Sequence, residues 1–492
     1  MRRGRQLTLG ASGVVLAAVA VVIGLAVTDR VELPGGESDA PPDGPVATAR
    51  PPDPLQVEPP PELVLPRLRP AAAVLAAARG PLADARAVRA VLRPMLADPE
   101  SDLGRHVGVV VRDLARDRAV LTAGDPDPYV PASTLKLFTA AAALAELGPD
   151  HRFTTSVRLD PAGRGAVPRV VLVGGGDPLL ATRAPDPGEA DVPTTVTVVR
   201  LAADSARALR QRGVRRVRVG YDASLFIGPA AAPSWAPDYV RADIVSPVSA
   251  LWVDEGRVTP DSAARSPDPA LAAAGVFAEA LRRAGVRVDG EPQAGTAAAR
   301  AEVLTEAAGV QLDSVVEHVL QVSDNEGAEV LLRHVALATD RPASFTGGVS
   351  GVREVLTGLG VPYAGVRTYD GSGLSRANRI TLAALAQVLQ LGADPAQPSL
   401  RTVTAGLPVA RFSGSLAYRF LSLDAAAGRG LVRAKTGTLS RVHGLAGTVV
   451  TRDGTLLGFG LLTDDVPLPD TLDARALLDE MAAALAGCGC RR

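Results

Sequence analysis

Ser133-Thr134-Leu135-Lys136, running on into Leu137-Phe138-Thr139-Ala140-Ala141-Ala142-Ala143-Leu144, is the stretch on which the reading of this chain turns. The apolar run from Leu135 to Leu147 predicts a buried helix, stopped by Gly148-Pro149. With Ser133 at its start, Lys136 lies one turn on and on the same face, so the hydroxyl and the amine can share a hydrogen bond. Only two lysines occur in the 492 residues, Lys136 and Lys435, although Lys and Arg together number 52. Arginine stays protonated at any working pH, whereas a desolvated lysine can be neutral and accept a proton. Both positions are therefore candidates for chemistry that a guanidinium cannot perform.

Asparagine is equally sparse, occurring as Asn325 and Asn378. Asn325 closes Ser323-Asp324-Asn325, and Lys435 opens Lys435-Thr436-Gly437-Thr438. Taken alone, S-x-x-K reads equally as a helix N-cap serine with a surface lysine one turn later. Three motifs in the order S-x-x-K, S-D-N, K-T-G, using both lysines and one of two asparagines, favour a catalytic reading. That is the set found in penicillin-binding proteins and serine β-lactamases.

The rest of the composition sets limits. With 47% hydrophobic residues the chain can build real cores, and a net charge of −1 with interspersed Arg and Asp/Glu gives no sign of nucleic-acid binding. Arginines at positions 2, 3 and 5 precede residues 7–27, which carry no charge, a length that predicts a single-pass anchor with the bulk of the chain outside the cytoplasm. A cleaved signal peptide is the alternative. Residues 33–61, dense in Pro, Gly, Asp and Glu, read as an extended spacer. Cys488 and Cys490, the only cysteines, are too few for a disulfide framework and read as tail residues. The five histidines, His106, His151, His318, His334 and His443, show no ligand spacing, so no metal or other cofactor is expected.

Helical spacing of apolar and Arg positions over residues 71–96 precedes a predicted hairpin, Val107 to Arg112 with Ala119 to Leu121. At the other end, strands are predicted over Leu431 to Thr438, Leu445 to Thr451 and Leu456 to Leu462, then a helix from Asp470 to Leu485. This pattern suggests an antiparallel sheet covered by helices, with the first and last helices packed together. Between Ser133 and Ser323, Val-rich runs at 170–173, 196–199 and 214–219 separated by Gly/Pro clusters suggest an inserted α+β module. The expected organisation is an anchor or signal at 1–28, a Pro-rich linker at 29–62, a discontinuous catalytic domain at 63–152 and 310–487, the inserted module at 153–309, and a tail at 488–492.

The chain resembles the class C low-molecular-mass penicillin-binding proteins, the D-alanyl-D-alanine carboxypeptidase/endopeptidase family. Besides the three motifs, the likeness rests on Val130-Pro131-Ala132-Ser133, Val173-Gly174-Gly175-Gly176-Asp177-Pro178, Tyr221-Asp222-Ala223-Ser224, Pro247-Val248-Ser249-Ala250-Leu251 and Asp370-Gly371-Ser372-Gly373-Leu374-Ser375. It implies an α+β fold, the α/β/α sandwich of serine β-lactamases and DD-peptidases, with a central antiparallel sheet. It further implies Ser133 as nucleophile, Lys136 as general base and Ser323 as proton relay to the leaving D-alanine. Asn325 would hold the substrate amide, and Lys435, Thr436, Gly437 and Thr438 would form the binding strand, with Lys435, Thr436 and Thr438 on the terminal carboxylate and the Ser133 and Thr438 N–H groups as oxyanion hole. The implied partners are peptidoglycan stem peptides and β-lactam inhibitors, at the outer face of the membrane. Trp235 and Tyr239 are candidates for either a substrate pocket or a core or domain-contact role, and Asp370-Gly371-Ser372-Gly373 reads as a plain turn, with a place at the edge of the site for Leu374 as the alternative.

Two rivals share parts of this pattern. A serine β-lactamase uses the same acylation but needs a deacylating Glu, whose motif ending in Leu-Asn is missing because neither asparagine follows a leucine. A catalytically inactive wall-binding protein would not need intact motifs. A Ser-His-Asp hydrolase would show G-x-S-x-G, which is not found.

Overall fold

The computed structural model describes residues 83–97, 102–161, 166–184 and 196–490. In chain order the first elements are α1 (Ala85–Leu96), β1 (Val107–Asp113), β2 (Arg118–Gly124), α2 (Lys136–Leu147), β3 (Thr154–Leu159), β4 (Arg169–Val173), α3 (Val198–Gln211), β5 (Arg216–Asp222), α4 (Pro269–Arg283), β6 (Arg287–Val288), β7 (Gln293–Ala294) and β8 (Glu302–Ala308). There follow α5 (Leu312–Gln321), α6 (Asn325–Ala338), α7 (Phe345–Gly358), α8 (Leu382–Ala393), α9 (Thr402–Ala405), β9 (Val432–Leu439), β10 (Val442–Val450), β11 (Leu456–Thr463) and α10 (Thr471–Gly487).

The first sheet has the order β2-β1-β11-β10-β9 and is antiparallel throughout. Period-two alternation sorts its side chains. Val109, Val111, Leu445, Val449, Leu457, Phe459 and Leu461 face a core shared with Val88 and Leu92 of α1 and Leu478, Met481 and Leu485 of α10. Each such side chain contributes about 1.5–3 kcal/mol on burial. Val110, Ala446 and Leu462 face the opposite core, with α2, α5, α6, α7 and α8. Small residues on that face let helices come close: a Cβ on Gly460 would stand 2.7 Å from Leu385 of α8. The sheet is thus sandwiched between two helical layers, an α+β sandwich as the resemblance implied.

A second sheet, β6-β5-β4-β3-β8 with β7 also paired to β5, mixes parallel and antiparallel strands. Val170, Leu172, Val217 and Val219 pack there against Leu201 and Leu209 of α3 and Phe277 and Leu281 of α4. The Val-rich run at 196–199 enters α3, whose N-cap Thr197 accepts a 3.1 Å hydrogen bond from Arg200 N.

Two expectations are corrected. Cys488 and Cys490 are bonded to each other and buried in the α1/α10 core, and Asp84 N donates to Cys490 O at 2.7 Å, tying the last residues to the start of α1. The single-pass anchor, the membrane as a partner and the membrane location are not retained: among the described residues no helix is long and apolar enough to cross a membrane. The segment 7–27 itself, with the linker and the helical spacing at 71–82, lies outside the described residues.

Candidate active site

Ser133 sits not in α2 but in a 3-10 turn, Ala132–Leu135, that precedes it. Thr134 closes the turn with its N and Oγ1 on Pro131 O, at 3.2 and 2.7 Å. Ala132 adopts a left-handed φ of 44°, which costs roughly 1 kcal/mol or more. Lys136 then opens α2, and its Nζ is 3.0 Å from Ser133 Oγ. Two glycines let other elements close over this turn. A Cβ on Gly437 of β9 would stand 2.8 Å from Pro131 O, and one on Gly373 would stand 1.9 Å from Ala132 O. Ahead of the turn, Asp464 receives Val130 N at 2.7 Å and bonds His106, whose ring stacks on Tyr129.

Lys136 is fully buried and has two further partners, Asn325 Oδ1 at 2.8 Å and Ser372 O at 2.8 Å. Burial pushes its ammonium down from the ordinary lysine value to about 8, against the carboxylates of Asp324, Glu329, Asp370 and Glu326, which favour the charged form. A substantial neutral fraction near pH 8 makes it competent as a base.

Asn325 is the first residue of α6, which Asp324 caps by accepting Gly327 N at 2.9 Å. Ser323 precedes them in a left-handed conformation, φ 62°, and is half-buried. Asp324 is held well above the usual carboxylate range, first by burial and then by Glu255 and Glu326. One turn along α6, Glu329 is buried and receives Gly371 N at 2.9 Å and Ser372 N at 2.8 Å. Burial and the neighbouring Asp370 push Glu329 up to about 7. Asp370 in turn receives Gly373 N, Ser375 N, Asn378 Nδ2 and Trp235 Nε1, at 3.1, 2.6, 2.7 and 2.9 Å. The segment 370–373 is therefore a wall of the lysine site, not a plain turn, and Trp235 is a core residue packed edge-on to Phe345.

β9 is an edge strand of the first sheet and carries Lys435, Thr436, Gly437 and Thr438. Lys435 is fully buried, donates to Thr436 O at 2.9 Å and is lowered well below the ordinary lysine value by burial and by Lys136. Thr436 Oγ1 donates to Ser415 Oγ at 3.1 Å, and Thr438 is exposed. The structure thus brings Ser133, Lys136 and Asn325 into one hydrogen-bonded group, with Gly437 of β9 against their turn.

A cleft of about 500 Å³ runs from Ser323, Asp324 and Asn325 to residues 178–184 and 254–265. In it, Glu255, His318 and Asp324 offer ligand atoms within 4.8 Å of one another. Arg257 pairs with Glu255 at 3.1 Å and Arg265 with Glu326 at 2.9 Å, so much of the acidic charge there is met by arginine. His334 is a structural group: its Nε2 bonds Gly176 O at 2.8 Å and its ring stacks on Phe153.

Glu329, Asp370 and the Ser372 carbonyl were not singled out from sequence as parts of the site. The one available signal for Glu329 was its spacing of four from Asn325, which puts both on one helical face.

A family model described as the D-Ala-D-Ala carboxypeptidase 3 (S13) family matches residues 88–267 and 260–485. The chain belongs to this family. A carboxypeptidase of Mycobacterium tuberculosis is 36% identical over 414 residues, covering 82% of this chain and 85% of the relative. A D-alanyl-D-alanine carboxypeptidase of an Actinomadura species is 32% identical over 456 residues, covering 80% of this chain and 83% of the relative. The crystal structure of penicillin binding protein 4 from Haemophilus influenzae superposes with a TM-score of 0.65 at 21% identity, covering 81% of this chain and 98% of that one, which shows the shared fold. As a member of the S13 family the chain is an enzyme, a serine-type D-Ala-D-Ala carboxypeptidase acting on peptidoglycan.

Proposed function

We propose that the reaction runs through an acyl-enzyme on Ser133 with Lys136 as its general base. The observation that carries this reading is the 3.0 Å hydrogen bond between Ser133 Oγ and a buried Lys136 Nζ whose ammonium is destabilised to about 8. The Ser133 proton passes to Nζ as Oγ attacks the carbonyl of the penultimate D-alanine. The tetrahedral oxyanion forms against the N–H groups of Ser133 and Thr438. The C–N bond then breaks, the terminal D-alanine amine takes a proton through Ser323, and water hydrolyses the ester. Asn325 orients the peptide, and Lys435, Thr436 and Thr438 receive the terminal carboxylate along the free edge of β9.

Residues 63–152 and 310–487 serve in this proposal as the catalytic domain, and 153–309 as an inserted module that supplies the far wall of the cleft. A β-lactam presents its ring amide in the same register and acylates Ser133. Endopeptidase cleavage of cross-links is the same chemistry with a larger leaving amine. Release of D-alanine from a stem pentapeptide, followed together with covalent fluorescent-penicillin labelling, tests the reading. Both should be present in wild type and absent in Ser133→Ala. Labelling that persists in Ser133→Ala overturns it, and rapid multiple turnover of nitrocefin would favour the β-lactamase instead.

A further inference from the structure

Lys136 has an unusual third partner. Beyond Ser133 and Asn325, it donates to a backbone carbonyl, that of Ser372, and this carbonyl belongs to a segment with its own anchors. Glu329 grips the N–H groups of both Gly371 and Ser372, and Thr139, one turn beyond Lys136 on α2, donates to Gly371 O at 2.8 Å. A Cβ on Gly371 would come within 2.8 Å of Ala328 O, so the segment lies directly on α6. The Gly371–Ser372 segment thus stands between the Glu329 carboxyl and the amine. Its N–H groups point at Glu329 and the Ser372 carbonyl points at Lys136, so the carboxyl fixes where that carbonyl stands, while the N–H of the same peptide unit, that of Gly373, donates to Asp370 Oδ1 at 3.1 Å.

We propose that Glu329 is a positioning residue for the general base: it holds the Ser372 carbonyl on Lys136 Nζ, and its charge governs how readily Lys136 gives up a proton. The inference rests on the assignment of Lys136 as base. Among the described residues, the charged groups around the pair are Asp324 and Glu326 at the start of α6, Asp370 on the gripped segment, Arg333 one turn beyond Glu329, and Lys435 on β9. Of the four carboxylates acting on Lys136, Glu326 is paired with Arg265, Asp324 caps its helix, and Asp370 is enclosed by four donors. Glu329 is the carboxylate bonded to the Gly371 and Ser372 N–H groups, next to the carbonyl that Lys136 uses.

The test is the pH dependence of the second-order rate of penicillin acylation for wild type, Glu329→Gln, Glu329→Asp and Thr139→Val, each shown to be folded by its thermal transition. Wild type should show a limb rising with pH to a plateau, which establishes the base independently of Glu329. In Glu329→Gln the limb should move to lower pH by roughly half a unit, so that at pH 7.5, where Glu329 is largely ionised in wild type, the rate relative to its own plateau is about twofold higher than in wild type, because loss of the anion disfavours the ammonium. Glu329→Asp, which keeps the charge but shortens the reach, and Thr139→Val, which loosens the segment without touching charge, should lower the plateau severalfold and leave the limb in place. An unmoved limb in Glu329→Gln overturns the proposal. So does a limb moved in either control, or a plateau unchanged in both, and these controls decide even if Glu329→Gln does not fold. Absence of any acylation in wild type would instead remove the base assignment itself.

Discussion

The two lysines are both fully buried, yet their surroundings differ in sign. Around Lys136 stand four carboxylates, Asp324, Glu329, Asp370 and Glu326, which draw its proton affinity back up to about 8 against the effect of burial. Around Lys435 the added influence is Lys136, a cation that acts in the same direction as burial. The difference fits the two tasks proposed for them. A base must release and retake a proton near neutral pH, so burial has to be balanced. A receptor for an anion is kept short of counter-charge until the anion arrives, and the anion then completes it.

Replacing each lysine by arginine breaks this comparison most sharply. Lys136→Arg should lose acylation by more than about a thousandfold, since a guanidinium cannot take the Ser133 proton. Lys435→Arg keeps a cation at the carboxylate and should lose only about tenfold, mainly in KM. Equal losses in rate measurements on the two variants would erase the distinction. Next in size is pH. With neutral Lys136 as the proposed base, kcat/KM should fall by about fiftyfold from pH 8 to pH 6 and be nearly level above about pH 9.

Amidating the C-terminus of a D-Ala-D-Ala peptide should raise KM by about 10–100-fold, the range of a charge-assisted hydrogen bond. Calorimetry in buffers of different ionisation enthalpy should find more proton uptake with the free acid than with the amide, since a carboxylate at the proposed site would favour the charged form of Lys435. Gly373→Ala, at φ 88° and against Ala132 O, should cost at least about 2 kcal/mol in denaturant unfolding and slow acylation with it. Arg216→Ala, which removes an exposed pair with Asp289 on the second sheet, should leave the denaturant midpoint and acylation nearly unchanged.

What could be read from sequence follows from which chemistry resides in side-chain type. The clustering of Ser133, Lys136 and Asn325 was legible because the roles proposed for them, nucleophile, base and amide holder, demand particular residue types, and scarcity of Lys and Asn made the motifs stand out. The strands β9, β10 and β11 were legible within a few residues from apolar runs broken at Gly454 and its neighbours. The 3-10 turn at Ser133 was not, because it depends on a left-handed Ala132 held by contacts from β9 and Gly373. Glu329 was hidden for another reason: it reaches the amine through backbone groups of residues 371 and 372, which carry no sequence signature. Cys490 likewise joins the core through a contact with residue 84, about 400 positions away.

Because the chain has only two lysines, enrichment with 13Cε,15Nζ-lysine yields two side-chain signals, assigned by Lys136→Arg and Lys435→Arg. Their titration by NMR tests directly whether a buried, readily deprotonated amine stands beside Ser133. The Lys136 signal should titrate near pH 8, and the Lys435 signal should titrate below the ordinary lysine range and move up when a D-Ala-D-Ala peptide is added. Two signals that both titrate above pH 10 would contradict this.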